Sequence, residues 1–125
     1  MWSFGFAIAA LYDLAIGVAF SGWGEPLLTW SAIPPPPEPV YIHLPVAYVV
    51  VQAAAYLLLA LAPARFRPIA IVGVFWKLAY LGVLGVCIAM GKYPPLFLGI
   101  GAFDIMFLVF FAAFLSRGPR PRMTF

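Results

Sequence analysis

Residues 95–115 read PLFLGIGAFDIMFLVFFAAFL, and Asp104 is the only charged side chain among them. A helix needs about 20 mostly apolar residues to cross the hydrocarbon layer of a bilayer. Proline at position 95 suits the first turn of such a helix, because the N–H that it lacks would have no partner there. The stretch also lacks the polar alternation of a barrel strand. It is therefore predicted to be a membrane-spanning helix.

The rest of the chain contains three more stretches of this kind. They are residues 3–21, 45–62 and 69–90, and prolines mark each junction between them. The 125-residue chain is 66% hydrophobic and 9% charged, whereas soluble domains are about 25% charged, so a water-soluble domain is excluded. Cys87 is the only cysteine, which excludes an intrachain disulfide. We predict one integral membrane domain, residues 1–125, forming an all-α bundle of four transmembrane helices.

The positions of the charged residues predict how this bundle lies in the membrane. With four spans, both chain ends and the connection after residue 62 lie on one face. That face receives Arg65, Arg67, Arg117, Arg120 and Arg122. The opposite face, which includes the predicted loop 22–44, receives Lys92 as its only cation. Cytoplasmic loops are rich in Lys and Arg, so both termini and the predicted tail 116–125 are expected in the cytoplasm. The basic residues form no stripe, so nucleic acid is not an expected partner.

Three charged side chains interrupt the apolar runs near their middles. Asp13, Lys77 and Asp104 each lie about eight to eleven residues inside their predicted helices, which at about 1.5 Å per residue places them near the bilayer midplane. A lone charge there costs about 2.5–3.5 kcal/mol, so these groups are expected to face the bundle interior and to find partners. Tyr80 lies on the same helical face as Lys77.

The second apolar run adds polar groups to this predicted centre. Tyr48, Gln52 and Tyr56 recur at intervals of four residues and so share one side of a helix. We predict that Lys77 lies between the two carboxylates, one of which takes up a proton while the other pairs with the lysine. Three interpretations follow: a structural staple between helices, a proton- or cation-handling site, or a general acid–base site acting on a lipid.

The remaining candidate is His43, the only histidine, which precedes the second predicted span on the outer side. It is interpreted as an interfacial packing residue or as an axial ligand of a haem or chlorophyll. The sequence contains no phosphate-binding loop, no metal-binding cluster and no nucleophile–base motif, so no catalytic residue or metal site is predicted. The sequence does not indicate a cofactor.

Several short motifs together resemble those of the small bacterial four-helix membrane proteins of the DoxX-like kind. They are Tyr12–Asp13–Leu14 followed by Gly17, Arg65-x-Arg67–Pro68, Gly73-x-x-x-Lys77–Leu78, and Asp104. The resemblance covers nearly the whole chain and implies a multi-pass protein of the bacterial inner membrane. The namesake of that group is a small membrane subunit of a quinone-linked oxidoreductase. No catalytic residue is implied for this chain.

Three functions fit these observations. The first is a non-enzymatic accessory subunit that packs, among membrane lipids, into a larger membrane complex or a homo-oligomer. The second is a small proton-coupled carrier or channel that uses the midplane Asp13, Lys77 and Asp104. The third is a membrane protein that binds a lipid or a quinone at its polar centre.

Overall fold

The computed structural model describes residues 1–21, 34 and 36–121. This part of the chain contains four helices, α1 (Trp2–Phe20), α2 (Val40–Leu61), α3 (Arg67–Ala89) and α4 (Pro95–Arg117). No strand occurs among the described residues, and each helix is long and apolar enough to cross a membrane. The predicted all-α class with four candidate membrane spans is confirmed.

The helix boundaries differ from the predicted ones mainly in α2. This helix begins at Val40 rather than at residue 45, so Pro45 lies inside it. Its first turn is closed by the Pro39 carbonyl, which accepts from the amides of Ile42 and His43 at 3.0 Å each. At the other end of the chain α4 continues to Arg117, so less of the predicted tail 116–125 remains outside a helix.

Two predicted regions cannot be compared in full with the structure. Residues 22–33, 35 and 122–125 lie outside the described part of the chain. Most of the predicted outer loop 22–44 and the end of the predicted tail belong to these residues.

The helices alternate in direction. Trp2 at the start of α1 packs on Phe114 near the end of α4, with ring centroids 5.4 Å apart. Phe20 at the end of α1 packs on Phe97 near the start of α4, with centroids 6.2 Å apart. We call the face that holds Met1 and the end of α4 the terminal face, and the other the opposite face. Helix α1 packs chiefly along α2, and α3 chiefly along α4.

The half of the bundle next to the terminal face is filled with aromatic rings. Phe6, Phe111 and Phe114 are fully buried. The ring of Phe6 makes edge contacts with Phe111 and Phe114 at 5.1 and 4.8 Å between centroids. Tyr56 of α2 meets Phe111 at 4.8 Å in the same way. Such edge-to-face pairs stabilise by about 0.5–1.5 kcal/mol each beyond the area that they bury.

Arg67 links the start of α3 to the end of α4. Its guanidinium donates hydrogen bonds to the carbonyls of Phe114, Gly118 and Pro119 at 3.2–3.3 Å, and to that of Leu115. The last carbonyls of a helix have no partners within the helix. An arginine at the start of α3 therefore caps the end of α4, in addition to adding positive charge to the terminal face.

Candidate functional site

A buried ion pair lies in the middle of the bundle. Lys77 of α3 places its Nζ 2.6 Å from Oδ1 of Asp104 in α4. The two residues are 2% and 8% exposed. The ammonium group also lies 5.6 Å from the ring centroid of Tyr56 and 5.3 Å from that of Phe107. Aromatic rings attract cations, so the lysine is stabilised by one carboxylate and two rings.

Asp13 is buried at the same level of the bundle but is not part of this ion pair. The residue is 6% exposed, and its Oδ2 has no hydrogen-bond partner among the described residues. The buried hydroxyl of Tyr80 is likewise without a partner in that part of the chain. An unpaired buried polar atom is unfavourable by about 1–3 kcal/mol. Two such atoms beside one ion pair indicate a site built to meet a further polar group.

Asp13 and Tyr80 both line a small polar cavity of about 70 Å³. Its wall includes Asp13, Gln52, Lys77, Tyr80 and Asp104. A single water needs about 10–15 Å³ of such space, so the cavity is large enough for a small polar head group. All four helices contribute to the wall, because the charged residues and Gln52 lie close to the midpoints of their helices.

A second, larger cavity adjoins the polar one on the side of the opposite face. Its volume is about 650 Å³, within the range of about 300–1,000 Å³ that is usual for ligand pockets. Its lining is almost entirely apolar and again comes from all four helices. Both cavities share the side chains of Ile16, Val49, Trp76, Tyr80 and Ile100. The described part of the bundle is thus densely packed towards the terminal face, whereas towards the opposite face a partly open cleft separates its helices.

The structure brings together five of the predicted centre residues around the polar cavity, namely Asp13, Gln52, Lys77, Tyr80 and Asp104. Tyr56 lies beside it: its hydroxyl accepts a hydrogen bond from Nε2 of Gln52 at 2.6 Å. The expected pairing of the lysine with one carboxylate is found, and the structure identifies that carboxylate as Asp104.

Tyr48 and His43 are placed away from the polar cavity. Tyr48 is 53% exposed and packs on Trp76 with ring centroids 5.8 Å apart, at the wall of the larger cavity. Positions four residues apart drift by about 40° around a helix of 3.6 residues per turn, so Tyr48 is rotated away from the side that buries Tyr56. His43 lies exposed in the first turn of α2 and contributes to neither cavity.

Two residues of the site were not predicted from the sequence as members of the centre. Tyr12 lines the polar cavity and donates a hydrogen bond to the carbonyl of Ile100 at 3.4 Å. Trp76 lines both cavities. The signal for Trp76 was its position four residues before Tyr80, which places both rings on one side of α3. Tyr12 adjoins Asp13 in the sequence but has no comparable periodic signal.

The described residues include no group of histidine, cysteine, aspartate and glutamate side chains that could hold a metal ion. No protein-family model, curated protein or solved structure matches the chain.

Proposed function

We propose that this chain is a membrane protein that binds a small amphipathic molecule inside its helix bundle. The apolar body of the ligand occupies the larger cavity, and its polar head group lies among the side chains of the polar cavity. The observation that carries this proposal is the junction of a large apolar cavity with a smaller one. Two residues that line the smaller cavity, Asp13 and Tyr80, each have a buried polar atom without a partner among the described residues.

The shape of the bundle supports this proposal over a purely structural role for the charges. A staple between helices needs the Lys77–Asp104 pair, but it gains nothing from the unpaired Oδ2 of Asp13. Buried polar atoms without partners are rare in proteins and often mark sites of function. Ionisable side chains within membrane spans are also functional more often than not.

The test is to purify the protein in a mild detergent and to identify everything that accompanies it by native mass spectrometry and by solvent extraction. We expect a small amphipathic molecule in stoichiometric amount. A protein that carries none, and that binds none when total membrane lipid is added back, contradicts the proposal.

A matched pair of variants makes the test specific to the cavity. Ala79 and Ala102 are both exposed, but Ala79 borders the larger cavity, whereas Ala102, near the middle of α4, borders neither cavity. Ala79→Trp fills the cavity and should reduce the bound molecule at least tenfold. Ala102→Trp adds the same ring to the exterior and should leave the bound amount unchanged. Equal occupancy in the two variants would place the ligand elsewhere.

We further propose that the bundle acts as a DoxX-like accessory subunit in the bacterial inner membrane, with both termini in the cytoplasm. The motifs that carry the resemblance supply two residues of the ion pair, Lys77 and Asp104, and the unpaired Asp13. The same purification tests this role, because a larger membrane subunit or a second copy should then accompany the chain. Only a monomer in several mild detergents would argue against it.

A proton-coupled carrier is the second candidate, favoured by the midplane carboxylates beside a cavity. Passage through the bundle would require Phe6, Phe111 and Phe114 to move, because their rings fill the half next to the terminal face. Liposomes that contain the protein should then acidify faster than empty ones under an imposed pH gradient, and Asp13→Asn should remove the difference. Equal rates in the presence of candidate ligands would exclude this role.

A further inference from the structure

We infer that the head group held in the polar cavity is a cation, an amine or a quaternary ammonium group carried on an apolar body. The inference rests on the proposed binding function and specifies the chemistry of its ligand. It follows from the charges, the rings and the volumes that the two cavities present together.

The charge of the polar cavity is unbalanced. Its ionisable carboxylates and amine are Asp13, Lys77 and Asp104, and the phenols of Tyr12 and Tyr80 complete the titratable groups of the wall. The Lys77 ammonium is neutralised by Asp104 at 2.6 Å. The buried Oδ2 of Asp13 has no corresponding partner among the described residues. With all three charged groups ionised the cavity carries one net negative charge, and a buried charge is stable only when it is paired.

The cavity wall also presents aromatic rings, which suit a cation. Tyr12, Trp76 and Tyr80 border the same space as Asp13. Aromatic rings attract ammonium groups to their faces, and Trp does so most strongly. The protein already uses this interaction at Lys77, whose ammonium lies between 5 and 6 Å from the rings of Tyr56 and Phe107. A ligand cation next to Asp13 would meet the same combination of one carboxylate and nearby rings.

The other head-group chemistries fit less well. A carboxylate or phosphate would approach two acidic side chains, Asp13 and Asp104. The only lysine in the cavity wall is already paired with Asp104. A neutral hydroxyl or carbonyl could accept or donate one hydrogen bond but would leave the net charge in place. Among these head groups, a cation alone both pairs with the unpaired oxygen of an ionised Asp13 and balances its charge.

The experiment compares three probes of one shape, 4-phenylbutylamine, 4-phenyl-1-butanol and 4-phenylbutyrate. The full-length protein in lipid nanodiscs is dialysed to equilibrium against each probe, and empty nanodiscs correct for partition into lipid. We expect the amine to bind at least tenfold more tightly than the alcohol, a difference of about 1.4 kcal/mol. Of the three probes, 4-phenylbutyrate should bind weakest. The alcohol should displace the amine at high concentration, because both apolar bodies occupy the same cavity.

Two charge-neutralising variants locate the preference. Asp13→Asn keeps the size of the side chain and its hydrogen bonding but removes the charge, and should bring the affinities for amine and alcohol within about twofold of each other, because the charge-assisted contact is lost. Glu38→Gln is the matched control, because it removes one exposed negative charge outside the polar cavity. It should leave the tenfold preference intact.

Each outcome separates this inference from the function on which it rests. Equal binding of amine and alcohol by the wild-type protein means that a proton already neutralises Asp13. That result overturns the cationic ligand while retaining an amphipathic one. Absence of binding by all three probes, together with no co-purified molecule, overturns both. The wild-type comparison needs no variant, so it remains decisive even where Asp13→Asn fails to fold.

Discussion

The side chain of Lys77 is almost fully buried in the bundle. The groups around its ammonium must therefore stabilise a buried positive charge. Asp104 supplies the opposite charge, and the rings of Tyr56 and Phe107 lie 5.6 and 5.3 Å from the ammonium. Removing either member of a buried pair is expected to cost more than removing both, because the survivor is left charged and alone.

The prediction is that Lys77→Leu lowers the free energy of unfolding by about 2–3 kcal/mol, the cost of a lone carboxylate near the bilayer centre. Lys77→Leu combined with Asp104→Leu should lose less than the single variant. Unfolding in mixed micelles, followed by circular dichroism, measures both. The cycle with Asp13→Leu should show a weaker coupling, because Asp13 lines the same cavity as Lys77 but forms no ion pair with it. Additive losses for Lys77 and Asp104 would mean that the pair does not form.

For these single residues, the sequence predicted how deep each charged side chain lies in the membrane and on which face of its helix. It did not predict which side chains form the ion pair. Helical periodicity places Asp13, Lys77 and Asp104 at one level and on inward faces. It does not give the rotation of one helix against the next, and a rotation of a few tens of degrees decides which carboxylate reaches the ammonium. The exposure of Tyr48 illustrates the same limit within one helix.

Helix α3 approaches its neighbours closely at Gly73. A Cβ atom built there would lie 2.5 Å from Cε2 of Phe111 and 3.0 Å from Cε1 of Tyr56. Both of those rings are fully buried or nearly so and belong to the dense half of the bundle. The absence of a side chain at position 73 therefore allows α2 and α4 to pack their rings against the backbone of α3.

We predict that Gly73→Ala destabilises the bundle by about 1–3 kcal/mol, the usual cost of forcing a methyl group into a packed core. Gly82→Ala is the matched control on the same helix, because a Cβ there has nothing within 4 Å. Alanine is the better helix former, so the control should be neutral or up to about 1 kcal/mol more stable. Thermal unfolding in detergent compares the two, and a similar midpoint for both variants would contradict the close contact.

The start of α2 shows why element boundaries were harder to predict than elements. A proline usually ends or opens a helix, so the sequence pattern favours Pro45 as the first residue of the span. The helix instead continues through it, with the loss of the hydrogen bond that residue 45 would have given to the carbonyl of Tyr41. Ile42 and Val46 line the larger cavity on either side of it. Tertiary contacts of this kind are not visible in a local sequence pattern.

The arginines in the described part of the chain lie at the terminal face of the bundle, and the orientation that this distribution predicts can be tested. In a Cys87→Ser background, Arg65→Cys and Arg120→Cys should react with a membrane-impermeant thiol reagent only from the cytoplasm, and Glu38→Cys only from outside. The reason is the enrichment of Lys and Arg in cytoplasmic loops. Intact cells and inverted vesicles give the two readings. Labelling of Arg65→Cys from outside would reverse the proposed orientation.

The number of helices and the depth at which their charged side chains lie were predictable from the sequence. The denser packing of the half of the bundle next to the terminal face was not. Phenylalanines at 107, 110, 111 and 114 could equally have faced lipid, and the sequence alone left that open. The structure buries most of this surface against Phe6 and Tyr56. Among the described residues no comparable group of rings fills the other half, and this is a property of the assembled bundle rather than of any single helix.

The ion pair also bears on how the chain enters a membrane during synthesis. Lys77 and Asp104 belong to consecutive helices, so the later hairpin, α3 with α4, can leave the insertion machinery with its charges already matched. The earlier hairpin carries Asp13 and no lysine or arginine within its two helices, and on insertion scales a lone acid at a helix centre is costly. The nascent first half should therefore be the fragile intermediate of biogenesis. Chains truncated after Ala62 should be degraded faster in pulse–chase labelling than the complete protein. Equal lifetimes would show that Asp13 does not make the first half fragile.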